Sequence, residues 1–221
     1  MGTFRADKTA DPTVSEAPRS LPGMTRIIFD TATSLNGWIA DEDNSLAWLF
    51  AVDGGTTPDD EVLPQNVGAM VEGSTTYEWV LQESDILAHP EKWREFHGDT
   101  PTFVFTTRDL PAPEGADITF VSGDVSDAVP ALRAAAGEKD IWIVGGGDLA
   151  GQFLDAGLLD EIAVSIAPVL LTGGAPLLPR RLESDRLRLV SAKAVGAFAR
   201  LIFAIEAAPA DAAGRDVRGP Q

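Results

Sequence analysis

Three consecutive glycines follow a short apolar run in the stretch IWIVGGGDLAGQFL, and a segment with helical spacing comes after them. The turn Gly145–Gly147 therefore leaves bare backbone amides where a predicted strand passes into a predicted helix. Amides at a helix N-terminus donate hydrogen bonds to phosphate, and the helix dipole favours negative charge there. The pattern indicates binding of a pyrophosphate group. A tight turn that binds nothing is the alternative, and the glycines alone do not separate the two.

The spacing of these glycines differs from the dinucleotide-binding fingerprint GxGxxG. The third glycine of that fingerprint would fall on Ala150, and Gly151 comes one residue later. Asp148 opens the helix, where an acidic side chain is a favourable N-terminal residue. Its charge would oppose a nearby pyrophosphate unless the side chain turns away.

Two other predicted strand ends carry residues that suit phosphate. The segment VEGSTTYE places Ser74, Thr75 and Thr76 directly after Gly73, so these hydroxyls could cap a helix or bind phosphate. The strand PTFVFTT is followed by Arg108. An arginine there could hold an adenosine 2′-phosphate by a charge-assisted fork, or could be an ordinary surface residue.

Asp30 interrupts the apolar run RIIFDTA and is the candidate catalytic acid. In a central strand its carboxyl must be paired, protonated or near a cleft, so a partner-satisfied structural aspartate is the alternative. Trp38 and Trp48 could line a flat substrate pocket, although large aromatic residues often belong to the core. No spacing typical of a metal site or of a Ser/His/Asp set is present.

The elements that must position these residues alternate between strand and helix patterns, which predicts an α/β fold with a mostly parallel sheet. The predicted strands are Arg26–Ser34, Ala69–Glu72, Pro101–Thr107, Asp117–Ser122, Asp140–Val144, Glu161–Leu171, and an antiparallel hairpin of Arg186–Val195 with Phe198–Ala207. The predicted helices are Ser45–Val52, Thr75–Leu81, Asp127–Ala136, Asp148–Ala156 and, short or broken at Pro64, Asp59–Met70.

Composition predicts one domain over residues 24–206 and disordered tails at Met1–Gly23 and Ala207–Gln221. The chain has 221 residues, of which 44% are hydrophobic, and a net charge of −17. Such a charge disfavours nucleic acid and anionic membranes as partners. Cysteine is absent, which excludes thiol nucleophiles and thiolate metal sites. Without a signal sequence or an apolar run long enough to span a membrane, we expect a cytoplasmic protein.

Five stretches in order resemble the dihydrofolate reductase-like superfamily. The resemblance is strongest to the C-terminal reductase domain of the bifunctional riboflavin-biosynthesis deaminase/reductase and its stand-alone relatives. The matching stretches are TSLNGWIAD (Thr33–Asp41), VEGSTTYEW (Val71–Trp79), FTTRDLP (Phe105–Pro111), IVGGGDLAGQFLDAGLLDEI (Ile143–Ile162) and IAPVLLTGGAPLLP (Ile166–Pro179). The resemblance implies a three-layer fold with an antiparallel C-terminal hairpin.

The resemblance also implies NADPH as cofactor and, because family members often dimerise, a homodimer. Ala32 and Ile39 would face the nicotinamide, and Thr107 and Arg108 would contact the 2′-phosphate. Asp30 would lie near the floor of the substrate pocket. The residues implied near the pyrophosphate are Gly73, Ser74, Thr75, Thr76, Val144, Gly145, Gly146, Gly147, Asp148 and Leu149.

Three positions depart from the family pattern. Asn36 and Ser74 replace a common aspartate and a common arginine, and Ser45 replaces the carboxylate with which dihydrofolate reductases bind the pterin. We therefore expect an NADPH-dependent reductase of a small planar heterocycle or a C=N or C=O compound other than dihydrofolate. The alternative is a non-catalytic nucleotide-binding module that keeps the fold.

Overall fold

The computed structural model of the chain describes residues 25–52 and 63–207. Its strands are β1 (Ile27–Ser34), β2 (Trp38–Ala40), β3 (Val67–Gly73), β4 (Thr102–Phe105), β5 (Ile118–Val121), β6 (Asp140–Gly145), β7 (Glu161–Ala167), β8 (Ala175–Pro176), β9 (Leu187–Val195) and β10 (Phe198–Ile205). Its helices are α1 (Ala47–Phe50), α2 (Ser74–Glu83), α3 (Glu91–His97), α4 (Val125–Ala136) and α5 (Gly147–Asp155). The predicted disordered tails lie outside the described residues, Ala207 excepted.

Eight of the strands form one sheet in the order β5-β4-β3-β6-β1-β7-β10-β9. The six strands from β5 to β7 run parallel to their neighbours. The last two strands form a hairpin that joins β7 antiparallel. The chain therefore has the predicted α/β architecture, a mostly parallel sheet with an antiparallel C-terminal hairpin. The short strands β2 and β8 pair with each other outside this sheet.

The two faces of the sheet carry separate apolar clusters, because successive side chains of a strand point to opposite sides. Phe103 of β4 belongs to the larger cluster with α4 and α5, whereas the next residue, Val104, packs with Tyr77 of α2 and Trp93 of α3. Central strands are buried on both faces, as in β1, where Ile27, Ile28 and Phe29 are all buried. The helices thus cover both faces and leave the carboxyl ends of the parallel strands at one edge.

Two predicted elements differ from the structure in extent or type, and three elements of the structure were not predicted. The helix predicted over Asp59–Met70 lies partly outside the described residues, and its last part is strand: Val67–Met70 opens β3. The strand predicted over Glu161–Leu171 ends at Ala167, directly before Pro168, which has no N–H to continue a ladder. Helix α3 was missed, as were the strands β2 and β8, which have three and two residues.

Candidate functional site

A cleft of about 380 Å³ opens at the carboxyl ends of β3, β4, β5 and β6. Ligands of parallel α/β sheets bind at this edge, where helix N-termini and loops meet. The cleft is lined by Gly73, Ser74, Thr75, Thr76, Phe105, Thr106, Thr107, Val121, Ser122, Gly123, Gly146, Asp148, Leu149 and Gln152. All three predicted strand ends therefore come together in one place.

The three consecutive glycines differ in what surrounds them. A Cβ on Gly145 would lie 2.7 Å from the Thr76 hydroxyl, and one on Gly147 would lie 2.3 Å from the carbonyl oxygen of Leu177. These two glycines make room for the protein's own atoms. A Cβ on Gly146 would meet nothing within 4 Å, and Gly146 lines the cleft. The Gly145–Gly146 peptide bond is cis. Only the middle glycine thus leaves open space where a ligand could approach the backbone.

The hydroxyl-rich start of α2 forms the wall opposite this turn. The N-cap residue Gly73 is extended and has no side-chain cap. Ser74 and Thr76 are half-buried, Thr75 is exposed, and all three line the cleft. With α5 beginning on the other side, two helix N-termini and several hydroxyls face one volume, and such groups suit a phosphate.

The Asp148 carboxylate does not point at the start of its own helix. Its Oδ1 accepts a hydrogen bond from Arg180 Nη1 at 3.1 Å, and its Oδ2 accepts one from Gln152 Nε2 at 3.1 Å. Among the described residues that line the cleft, Asp148 is the one charged side chain, and none is a lysine, arginine or histidine. These lining residues offer amides and hydroxyls to an anion.

Arg108 directly follows two residues that line the cleft but does not line it itself. Its guanidinium donates two hydrogen bonds to the Glu78 carboxylate, at 2.9 and 2.6 Å, and the arginine side chain is half exposed. The neighbouring Thr107 is part of the cleft wall. A role of Arg108 at a 2′-phosphate remains a prediction, and it would require the phosphate to share or replace Glu78.

Asp30 lies on β1, away from the cleft, and is buried. Arg200 of β10 donates to both of its carboxylate oxygens, at 2.5 Å each, and also to Ser165 Oγ of the intervening strand β7. Burial raises the pKa of Asp30, and the hydrogen bonds from Arg200 act against that rise. This geometry is that of a paired structural aspartate. A catalytic role for Asp30 remains a prediction.

The residues implied for the nicotinamide and the substrate lie on β1, β2 and α1 rather than in the cleft. Ala32, Trp38, Ile39 and Trp48 are all half-buried. Val144, Gly145 and Gly147 do not line the cleft either, because they form the strand end and helix start behind it.

The turn after β1 explains the first departure from the family pattern. The Asn36 side chain donates to Leu171 O at 2.7 Å and accepts from Leu171 N at 3.1 Å. An aspartate could not make the first of these bonds. Ser45, the third departure, accepts a hydrogen bond from Ala47 N at 3.1 Å, in a short turn directly before α1.

Sequence reasoning missed two contributions to the cleft. Val121 ends β5, Ser122 and Gly123 follow it, and Gln152 lies about one turn into α5. The end of β5 could have been predicted, since Asp117–Ser122 was predicted as a strand of a mostly parallel sheet and parallel strands end at the same edge. The contribution of Gln152 could not have been predicted, because a single polar residue on a helix does not show which way its side chain faces.

Within the described residues, no group of three or more histidine, aspartate and glutamate side chains is arranged to hold a metal ion. In the same part of the chain, no helix has the length and apolar character needed to cross a membrane.

Comparison with known proteins connects this geometry to a family. The chain is 28% identical over 172 residues to the uncharacterized protein YwjB of Bacillus subtilis, covering 78% of this chain and 93% of that protein. A protein of Shewanella sp. PV-4 assigned to riboflavin biosynthesis has a solved structure with a TM-score of 0.62 and 26% identity, over 83% of this chain and all of that one.

A more distant structure shares the fold. The dihydrofolate reductase of Enterococcus faecalis, solved in complex with NADP(H), gives a TM-score of 0.55 at 14% identity, with 82% and 97% of the two chains covered. The family model described as the RibD C-terminal domain matches residues 25–199, which include every strand and helix around the cleft. The chain belongs to the RibD C-terminal domain family, a reductase-like family with a dihydrofolate reductase-like fold.

Proposed function

We propose that the protein is an NADPH-dependent reductase of a small planar heterocycle or a C=N or C=O compound. The observation that carries the proposal is the cleft itself. It joins four strand ends, two helix N-termini and the open backbone at Gly146, all at the sheet edge where nucleotides bind in this class of fold. Membership of the RibD C-terminal domain family and the NADP(H)-bound structural neighbour support the same cofactor.

The residues present fit a dinucleotide diphosphate. The amides at the starts of α2 and α5 would donate to its oxygens, and Ser74 and Thr75 would add hydroxyl donors. Thr107 and Arg108 would hold the 2′-phosphate, and Ala32 and Ile39 would lie beside the nicotinamide. When bound, the nicotinamide would supply hydride, and the protein would supply orientation and electrostatics.

Nucleotide titration tests this proposal directly. Purified protein titrated with NADPH and with NADH should show a change in tryptophan fluorescence and a higher melting temperature. A ligand at about one hundred times its dissociation constant stabilises a protein by about 2.7 kcal/mol. The absence of any shift with either nucleotide at millimolar concentration would contradict the proposal.

Arg108→Ala tests the discrimination between the two nucleotides. If Arg108 binds the 2′-phosphate, the variant should bind NADPH about tenfold or more weakly and NADH unchanged, because a charge-assisted hydrogen bond is lost. Arg94→Ala is the control, since Arg94 is an exposed arginine that also pairs with a carboxylate, that of Asp99, and does not line the cleft. An unchanged preference in Arg108→Ala would remove the assigned role.

A nucleotide-binding module without catalysis is the second candidate. The pairing of Asp30, the candidate proton donor, with Arg200 outside the residues that line the cleft favours it. Oxidation of NADPH in the presence of pyrimidines, pterins and flavin precursors separates the candidates. Binding combined with substrate-dependent oxidation supports the reductase, whereas binding without oxidation over this panel favours the module.

A further inference from the structure

Arg180 spans α5 from its first turn to its last. Its Nε donates to Asp155 Oδ2 at 2.6 Å, and its Nη1 donates to Asp148 Oδ1 at 3.1 Å. Asp155 is the last residue of the helix, and Asp148 lies in its first turn. The side chain of Arg180 is 26% exposed, so the guanidinium lies along the helix surface rather than extending into solvent.

Gly151 makes this position possible. A Cβ built on Gly151 would lie 2.9 Å from Arg180 Cζ and 3.0 Å from its Nε, closer than a Cβ ordinarily lies to such atoms. A glycine inside a helix lowers helix stability relative to alanine. Here the missing side chain leaves room for the guanidinium. Gly151 lies one residue beyond the third glycine position of the dinucleotide fingerprint. Its contact with Arg180 explains why a glycine stands there, and no ligand is needed for that explanation.

The position of the guanidinium fixes the direction of the Asp148 carboxylate. Gly151, beneath the guanidinium, is three residues beyond Asp148, and Gln152, which binds the other carboxylate oxygen, is four residues beyond. Residues three and four apart are neighbours along a helix face. Both carboxylate oxygens are therefore directed along α5, away from the amides at its N-terminus. Released from these partners, the carboxylate would be free to turn toward the cleft that it lines.

We propose that Arg180 is a positioning residue of the nucleotide site, which holds and neutralises the Asp148 carboxylate so that the N-terminal amides of α5 stay available to a diphosphate. The inference rests on the proposed function. Arg180 does not line the cleft and acts through Asp148. Because the side chains of Asp148 and Asp155 are 68% and 58% exposed, their ion pairs with Arg180 contribute little to folding, so the effect belongs to anion binding rather than to stability.

The test measures NADPH affinity at low and at physiological ionic strength for the unaltered chain, Arg180→Met, Asp148→Asn and the double variant. Arg180→Met should weaken binding about threefold to tenfold, and more at low salt, since screening reduces the repulsion of an uncompensated carboxylate. The double variant should regain most of the affinity, because no carboxylate charge remains to be held. Arg180→Lys should be intermediate, since an ammonium keeps the charge without the fork that reaches both aspartates.

The neighbouring arginine provides the matched control. Arg181 is 91% exposed and pairs with Glu183, so Arg181→Met removes the same charge one residue away and should change the affinity less than twofold. An equal loss of affinity in Arg180→Met with and without Asp148→Asn would show a merely structural role and overturn the inference. An unchanged affinity in Arg180→Met would also overturn it. If the unaltered chain fails to bind NADPH, the proposed function itself falls and this inference falls with it.

Discussion

The buried pair of Asp30 and Arg200 crosses three strands of the sheet. Both side chains are at most 6% exposed, and Ser165 supplies a further partner on the strand between them. The indole of Trp142 donates to the Asp30 carbonyl oxygen at 2.9 Å, which holds the backbone at the same point. Arg200 donates to both carboxylate oxygens, so Asp30 serves to hold the strands together.

Removing one partner of this pair should strongly destabilise the fold. We expect Arg200→Met to lower the free energy of unfolding by about 3–5 kcal/mol, because it leaves a buried carboxylate without its countercharge. The double variant Asp30→Leu/Arg200→Met should lose much less. Urea unfolding measures both, with Arg94→Met as the exposed control. A loss below about 1 kcal/mol in Arg200→Met would contradict the structural assignment.

Tyr77 is the single tyrosine of the chain and is fully buried. Its hydroxyl donates to Pro111 O at 2.6 Å, and its ring packs edge-on against Trp93. Burial, followed by the nearby charge of Glu72, raises the pKa of Tyr77 to about 12.

The pH at which this tyrosine ionises should differ between the folded and the unfolded protein. In the native protein the phenolate absorbance should appear near pH 12, and in denaturant near the ordinary value of about 10. Above pH 10 the unfolded chain releases the proton that the fold retains, so stability should fall as the pH rises from about 10 to about 12. A native midpoint near 10 would show that the hydroxyl is accessible to solvent.

In the turn between β6 and α5, one glycine is packed closely against another segment and its neighbour is open to the cleft. Gly147 carries the packing requirement, because the carbonyl oxygens of Pro176 and Leu177 lie 2.4 and 2.3 Å from the place of its Cβ. These atoms belong to the segment that continues to Arg180. The start of α5 is thus held against that segment, while Gly146 faces the cleft.

Substituting these two glycines should separate stability from binding. Gly147→Ala should lower the free energy of unfolding by about 1–3 kcal/mol, because the backbone of residues 176–177 must shift. Gly146→Ala meets no atom within 4 Å and should cost less stability, but it should weaken NADPH binding by placing a methyl group in the cleft. Thermal melts and nucleotide titration measure the two effects. The reverse order of stability losses would contradict this division of roles.

Most long elements were predictable because their signals are local. The apolar runs of β1, β4 and β6, and the helical spacing of α5, follow from neighbouring residues. The pairing of β2 with β8 was not predictable, because Trp38 meets Pro176 across most of the chain. The helix proposed for Asp59–Met70 was wrong at its end, since the burial of Ala69 and Met70 in the sheet outweighs their helical propensity.

At the scale of the whole molecule, the family resemblance leads us to expect a homodimer. Light scattering after size exclusion should give twice the mass of one chain. The net charge of −17 opposes association at low ionic strength, so the dimer should dissociate less readily at moderate salt. A single-chain mass at both salt concentrations would contradict the expectation.

The sequence by itself determined the α/β class, the family and the convergence of three strand ends on one cleft. It could do so because alternating strands and helices require a parallel sheet, and parallel strands share the edge at which they end. The roles of the charged residues depend instead on tertiary contacts. Asp30 meets Arg200, Asp148 meets Arg180 and Arg108 meets Glu78 across 170, 32 and 30 positions. An ion pair formed across such separations leaves no local pattern, because it depends on where the fold brings two side chains.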